Sequence, residues 1–229
     1  MSQDITLIIF SAGDERDDAE RLVTHCRHAI TADVVAQARQ IDIIGRIIVA
    51  TDSHALAKIL QPYAVIINYD DPKQSFEFGA RFEQILKQYA VQKPFYIGGG
   101  AAALLTLDEM RAIAELLRER EQTVIPNNLF SSDFVAFAPG EAALGLPPMA
   151  NDNNLAYALR TQRQHYIAHV GIAPRQHGNV CRTNAFIQPL PHLPRDALRF
   201  GFVGIDAGDG YGKGIERSLR RACAPFDFV

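Results

Sequence analysis

Cysteine is scarce in this chain, an excess of positive charge is absent, and no long apolar run occurs. Cys26, Cys181 and Cys223 are the only cysteines among 229 residues, odd in number, far apart and without a CxxC pair. That excludes a secreted disulfide framework and makes a reducing cytoplasm the expected compartment. Lys and Arg number 23 against 26 Asp and Glu, for a net charge of -3. With no cationic block either, the electrostatic footprint of a nucleic-acid-binding protein is missing. Residues 1 to 10 hold a short apolar run with no basic segment before it. Nothing later approaches the roughly 20 apolar residues that span a bilayer, so neither signal peptide nor membrane anchor is expected. Internal repeats and low-complexity segments are lacking too.

What is present is the balance of a folded protein, 48% hydrophobic and 21% charged. The length suits one substantial domain, since domains run to about 100 to 200 residues. Short runs rich in Ile and Val alternate with stretches of helical period, the pattern of βα units around a mainly parallel sheet. Strands are expected at 5–10, 46–50, 64–68, 94–97 and 123–126, followed by an apolar run at 134–137. Helices are expected at about 20–40, 55–60, 76–89, 106–120 and 151–163. Thr51, Asp52 and Ser53 offer capping oxygens before the second helix, and Thr106 with Glu109 has capping-box spacing. Between 165 and 195 the chain is rich in Pro, His and turn formers, and reads as a loop-rich insertion or small subdomain within a single domain of 1–229. Beyond it, 199–205 reads as a returning strand and 215–221 as a basic helix. The fold class predicted is α/β, three layers built on a mainly parallel sheet.

Four groups of residues could carry chemistry. Ser11, Ala12 and Gly13 leave the first strand, with Arg16 and Arg21 following. Small residues let backbone N–H groups approach a phosphate, and a guanidinium can hold its oxygens in a fork. Asp14, Glu15, Asp17 and Asp18 surround the turn and would repel a triphosphate unless a divalent cation lay between; the alternative is an ordinary acidic surface turn. Gly98, Gly99 and Gly100 begin a GGGAAA run that fits the dinucleotide fingerprint G-x-G-x-x-A between a strand and a helix. The acidic ribose partner about 20 residues on is missing, because the next strand leads to Asn127 and Asn128; a close-packed turn is the alternative. His165, His169, His177 and Cys181 have H-x3-H-x7-H-x3-C spacing. His165 and His169 would share a helix face and could hold Zn²⁺ with the other two, or be polar loop residues. Lys213 and Arg217, in a glycine-punctuated tail, could close over phosphates or form a solvated helix face.

The run DVVAQARQIDIIGRIIVATDSHALAKIL at 33–60 resembles a helix-to-strand segment of the nucleotidyltransferases of the glycosyltransferase-A-like superfamily. LLTLDEMRAIAELL at 104–117 is similar to the segment after that family's metal-binding strand. NNLFSSDFVAF at 127–137 and LPPMANDNNLAYALR at 146–160 resemble the acceptor-side strand and helix of its small members, the molybdenum cofactor and phospholactate guanylyltransferases. The resemblance implies a nucleotide-diphospho-sugar transferase-like fold of GT-A type. It puts Ser11, Ala12 and Gly13 on the nucleotide loop, Arg21 at its basic end, and the acceptor near Asn151, Asp152 and Asn153. It implies two Asp ligands for Mg²⁺. The first has no counterpart, since Gly99, Gly100 and Ala101 stand in its place, and the Lys of the first loop is also missing, with Ala19 near its position. Asp206 matches the second, and a turn or cap role is its alternative; Asp133, Asp152 or the acidic first loop could substitute as ligands.

The expected function is therefore transfer of a nucleotidyl group from a nucleoside triphosphate, GTP or CTP, to a small phosphorylated or sugar-like acceptor, with a homo-oligomer as a further partner. Two alternatives stand beside it. One is a non-catalytic nucleotide- or sugar-binding protein that kept the fold after losing the metal carboxylate. The other is an NAD(P)- or FAD-binding oxidoreductase that uses the GGGAAA loop.

Overall fold

Ile5–Phe10 forms strand β1, and it is buried along nearly its whole length. A strand covered on both faces must lie inside a sheet with helices above and below. Helix α1 follows over Asp18–Ala38, capped by the Asp17 carboxylate, which accepts from the Glu20 N–H. Strand β2 is Ile44–Thr51, and helix α2, His54–Leu60, starts on the Ser53 hydroxyl, which accepts from the Leu56 N–H at 3.2 Å. Strand β3 is Ile66–Tyr69, helix α3 Phe78–Gln88 and strand β4 Lys93–Gly98. Helix α4, Leu107–Glu119, has the expected Thr106–Glu109 capping box. Strands β5 (Thr123–Pro126) and β6 (Phe134–Ala138) come next, and a 3-10 turn at Asp152–Asn154 leads into helix α5, Leu155–Arg163. This computed structural model describes residues 5–13, 17–130, 132–163, 167–170 and 185–188.

The strands form one sheet in the order β3-β2-β1-β4-β6-β5, continued by β7 (Ile167–Val170) and β8 (Ala185–Gln188). The first four strands are parallel, β6 runs antiparallel to both β4 and β5, β7 pairs parallel with β5, and β8 pairs antiparallel with β7. Alternate residues of each inner strand feed two cores. Ile5, Leu7 and Ile9 of β1 join Val35 of α1, Leu56 of α2 and Ile113 of α4 on one face. Ile8 joins Phe78 and Phe82 of α3 and Leu155 of α5 on the other. The three-layer α/β expectation holds.

The stretch 165–195 is not wholly loop, because β7 and β8 fall within it and lengthen the sheet beyond β5. Strands of four residues set among Pro and His give too little periodicity to stand out in sequence. The strand expected at 199–205 and the helix at 215–221 lie outside the described residues, as do Lys213 and Arg217.

Lys93 opens β4 with its side chain only 3% exposed. Its ammonium donates to the carbonyls of Leu117, Arg118 and Arg120 at 3.4, 2.7 and 3.2 Å, closing the C-terminus of α4 where the helix dipole favours a cation. Lys93→Met should therefore lower the unfolding free energy by about 1–3 kcal/mol in urea titration, the cost of stranded buried acceptors. An unchanged midpoint would show that water replaces the ammonium there.

Candidate functional site

The chain leaves β1 toward β2 and β3 on one side, and leaves β4 toward β6 and β5 on the other, so the strand order reverses between β1 and β4. In open α/β sheets ligands bind beyond the carboxyl ends of strands at such a reversal. Phe10 and Gly98 are paired in register, which brings the exit at Ser11–Gly13 level with the exit at Gly98–Ala103. Two of the sequence-expected segments, far apart along the chain, are thus neighbours in space.

The first exit is anchored more than it is open. Ser11 is buried; its N–H donates to the Ala50 carbonyl at 3.0 Å, its hydroxyl oxygen accepts from Thr31 at 3.2 Å, and its carbonyl accepts from the Thr51 hydroxyl at 2.6 Å. Ala12 is exposed, and its carbonyl accepts from Arg27 Nη1 at 3.0 Å. The Gly13 N–H donates to Asp52 Oδ1 at 2.8 Å. Arg21 is paired with Asp18 on the exposed start of α1, at 3.0 Å, and has no described contact with the exit. Arg16 lies outside the described residues.

The second exit rests on the first. Gly99 donates its N–H to the Phe10 carbonyl at 2.5 Å, and a Cβ on Gly99 would fall 2.4 Å from that oxygen and 2.6 Å from Ser11 Cα. Only glycine permits this approach. Gly100 follows with φ +85°, in the left-handed region. The dinucleotide fingerprint requires its glycines at a helix N-terminus. Here α4 begins only at Leu107, behind Thr106, so the GGGAAA run is a packed turn and the geometry does not support the oxidoreductase reading.

Carboxylates gather where β4 ends. The Gly98 N–H donates to the Asp133 carbonyl at 2.9 Å, and a Cβ on Gly98 would lie 3.1 Å from Asp152 Oδ2. Tyr96, fully buried among Phe10, Phe78 and Phe82, donates its hydroxyl to Asp152 Oδ2 at 2.7 Å. Asn127 Nδ2 donates to Asp133 Oδ2 at 2.9 Å. Burial pushes the Asp133 carboxyl above its usual range; the Asn127 hydrogen bond opposes that, and the Asp152 charge adds to it. The Tyr96 hydroxyl is pushed well above its usual value, first by burial, then by the charge and hydrogen bond of Asp152 and the charge of Asp133. The two acids, on separate loops, therefore share one electrostatic environment.

Asp152, expected on the acceptor side, reaches this rim, whereas Asn151 caps its own 3-10 turn by accepting from the Asn153 N–H at 3.2 Å, and Asn153 is exposed. His169 stands in β7, paired with Phe186, three strands from β4. Residues of an extended strand rise about 3.3 Å each, so the helical closeness assumed for His165 and His169 fails at His169. His165, His177, Cys181 and Asp206 lie outside the described residues. Sequence reasoning missed Arg27 and Tyr96, and read Asp52 only as a cap for the second helix, whereas its carboxylate accepts from Gly13. Arg27 had a signal: Thr24, His28 and Thr31, spaced along one face of α1, are buried polar residues where an apolar stripe would be expected.

No protein-family model matches the sequence, and a search of curated proteins finds no match. Solved structures do match. A protein assigned as a nucleotide-diphospho-sugar transferase from Desulfovibrio desulfuricans superposes with a TM-score of 0.53 at 7% identity, over 74% of this chain and 80% of that one. The fold is that of the nucleotide-diphospho-sugar transferases. A cytidylyltransferase from Leptospira borgpetersenii gives a TM-score of 0.52 at 9% identity, over 71% of this chain and 73% of its own. Within this GT-A type fold, Gly99, Gly100 and Ala101 stand where the family resemblance expected a carboxylate. Among the described residues no helix is long and apolar enough to cross a membrane.

Two measurements check this geometry. Gly99→Ala should destabilise the protein by about 1–3 kcal/mol, as an overpacked site does. Gly13→Ala, whose Cβ would meet nothing closer than 3.5 Å, should stay within about 0.5 kcal/mol of wild type; equal effects would remove the close approach as the reason for glycine at 99. The raised Asp133 carboxyl means that the native protein holds this proton more tightly than the unfolded chain does. Its contribution to stability is then largest below the ordinary aspartate pKa of about 3.9 and is lost as pH rises through the higher native value. Asp133→Asn should remove that downward slope from the pH dependence of unfolding, and a slope identical to wild type would contradict the assignment.

Proposed function

We propose that the chain binds a nucleoside triphosphate across the exits of β1 and β4 and transfers its nucleotidyl group to a small phosphorylated or sugar-like acceptor. The observation that carries this reading is the juxtaposition, at the reversal of strand order, of the Ser11–Gly13 exit, the Gly98–Gly100 turn and the Asp133–Asp152 pair. The likeness of the fold to a nucleotide-diphospho-sugar transferase and a cytidylyltransferase makes CTP the first nucleotide to test, ahead of GTP. The phosphates would lie along Ser11–Gly13, with Arg16 beside them, and the acceptor on the side of Asp152 and Asn153. In the reaction an acceptor oxygen attacks the α-phosphorus, the bond to the bridging oxygen breaks, and pyrophosphate leaves with the electron pair. What the protein supplies is mainly position and charge.

The donor set at the end of β4 suits a hard divalent cation. Burial raises the affinity of Asp133 for a proton and the charge of Asp152 adds to it, and both effects would be relieved by Mg²⁺, which binds through one or two carboxylates, waters and substrate phosphate. Asp133 and Asp152 are the residues proposed to hold it, and Asp206 is a further candidate. When bound, the ion would neutralise phosphate charge. Tyr96 and Asn127 fix the two carboxylates in orientation through their hydrogen bonds. Among the described residues no group of three or more His, Cys, Asp or Glu is placed to hold a metal, so Zn²⁺ stays a proposal for the His165–Cys181 segment alone.

A second reading, binding without transfer, is favoured by one observation. At Gly99 a side chain of any kind would strike the Phe10 carbonyl, so position 99 cannot carry the carboxylate that the resemblance expects, and positions 100 and 101 hold Gly and Ala. The two readings separate in one experiment. Stabilisation by CTP or GTP, which at 100 times its dissociation constant should add about 2.7 kcal/mol, is read with and without Mg²⁺ alongside pyrophosphate release. Transfer predicts Mg²⁺-dependent release that falls about a hundredfold or more in Asp152→Asn, the scale of losing one transition-state charge partner. Stabilisation without release selects the binding reading, and no stabilisation by any nucleoside triphosphate ends both.

A further inference from the structure

The arginines near the site are mostly committed elsewhere. Arg21 pairs with Asp18, Arg81 with Asp70, and Arg111 with Asp108, while Arg46 donates to the Tyr89 carbonyl. Arg27 differs. It projects from the face of α1 that also carries Thr24, His28 and Thr31, and it reaches between the two exits. Its Nη1 donates to the Ala12 carbonyl at 3.0 Å. Its stem lies on Gly100: a Cβ there would approach Arg27 Cγ to 3.2 Å and Nε to 3.7 Å. Among the described residues no carboxylate forms an ion pair with it.

A guanidinium is always charged and presents a fork of N–H donors, of which one carbonyl uses only part. Two of the three backbone donors at the first exit, by contrast, are already engaged: Ser11 N–H by Ala50 and Gly13 N–H by Asp52. An anion arriving there must find its charge partner in a side chain. On the far side of the same turn, at Gly98, stand Asp133 and Asp152, which repel phosphate. The cation at Gly100 and the carboxylates at Gly98 thus flank one short stretch of backbone with opposite charge.

We propose that Arg27 is the anion-binding residue at the β1 and β4 exits, and that its ligand is the phosphate chain of the nucleotide. This rests on the nucleotidyl-transfer reading for the nature of the ligand, but not for the existence of the anion site. The Ala12 contact holds the guanidinium ready over Gly100, so that little ordering is needed when phosphate arrives.

Titration calorimetry with inorganic pyrophosphate, CTP and cytidine, on wild type, Arg27→Gln and Arg27→Lys, tests it. Arg27→Gln should weaken pyrophosphate and CTP by about tenfold or more, the scale of one charge-assisted hydrogen bond. Arg27→Lys, which keeps charge but loses the fork, should fall between. Cytidine, lacking phosphate, should bind all three alike. Were the Arg27–Ala12 bond only a tie between α1 and the exit, the variants would melt earlier while pyrophosphate affinity held, and that result overturns the proposal. So does a wild type that binds no pyrophosphate. Full CTP affinity in Arg27→Gln removes Arg27 and leaves the nucleotide reading standing. Pyrophosphate binding that depends on Arg27, with no nucleotide held more tightly than pyrophosphate, keeps Arg27 and removes that reading.

Discussion

Where β4 leaves the sheet, its backbone lies directly on the end of β1, with the Gly99 N–H on the Phe10 carbonyl and no space for a side chain between them. The register of β1 with β4 is carried through to this contact. It forms a common floor for the two exits and brings them level. It also makes the next residue, Gly100, turn with positive φ under the stem of Arg27. A bulkier residue at 99 would push the two strand ends apart, and every group that reaches the rim would move with them.

Charge is then sorted around that floor. The α1 and α4 side contributes the guanidinium and a set of buried hydroxyls that tie Ser11 in place. The α3 and α5 side contributes carboxylates held by Tyr96 and Asn127. Tyr96 does double duty, since its ring packs edge-on against Phe10, Phe78 and Phe82 while its hydroxyl holds Asp152. The aromatic core of one face is therefore mechanically joined to an acidic group at the rim. Asp52, which follows β2, occupies the Gly13 N–H.

Most of the element order was legible because burial on two faces leaves a strong imprint. Strands such as Ile5–Phe10 and Thr123–Pro126 are apolar runs with the very bounds expected, and the Thr106–Glu109 capping box marks the start of α4 in four residues. Boundaries slipped by one or two residues where polar side chains begin a strand, as Lys93 does, because a lysine that caps a distant helix looks like a loop residue in sequence. Strands β7 and β8 were hidden for another reason: IAHV and AFIQ are short and lie in a stretch rich in Pro, His and turn formers, where the surrounding residues read as loop. At the site, Ser11–Gly13, Gly98–Gly100 and Asp152 were legible as small or acidic residues after strands, yet their relation to one another was not.

By itself, then, the amino-acid order determined the alternation of strand and helix, the caps, and the small residues at the strand ends, since each depends on neighbours within a few positions. Tertiary structure alone decided that Gly99 is glycine because of Phe10, that Arg27 rather than Arg21 faces the exits, and that Asp133 and Asp152 share one rim. Those outcomes depend on which strands become neighbours in the sheet, and pairing between segments tens of residues apart is set by the packing of the whole core, which no local pattern encodes.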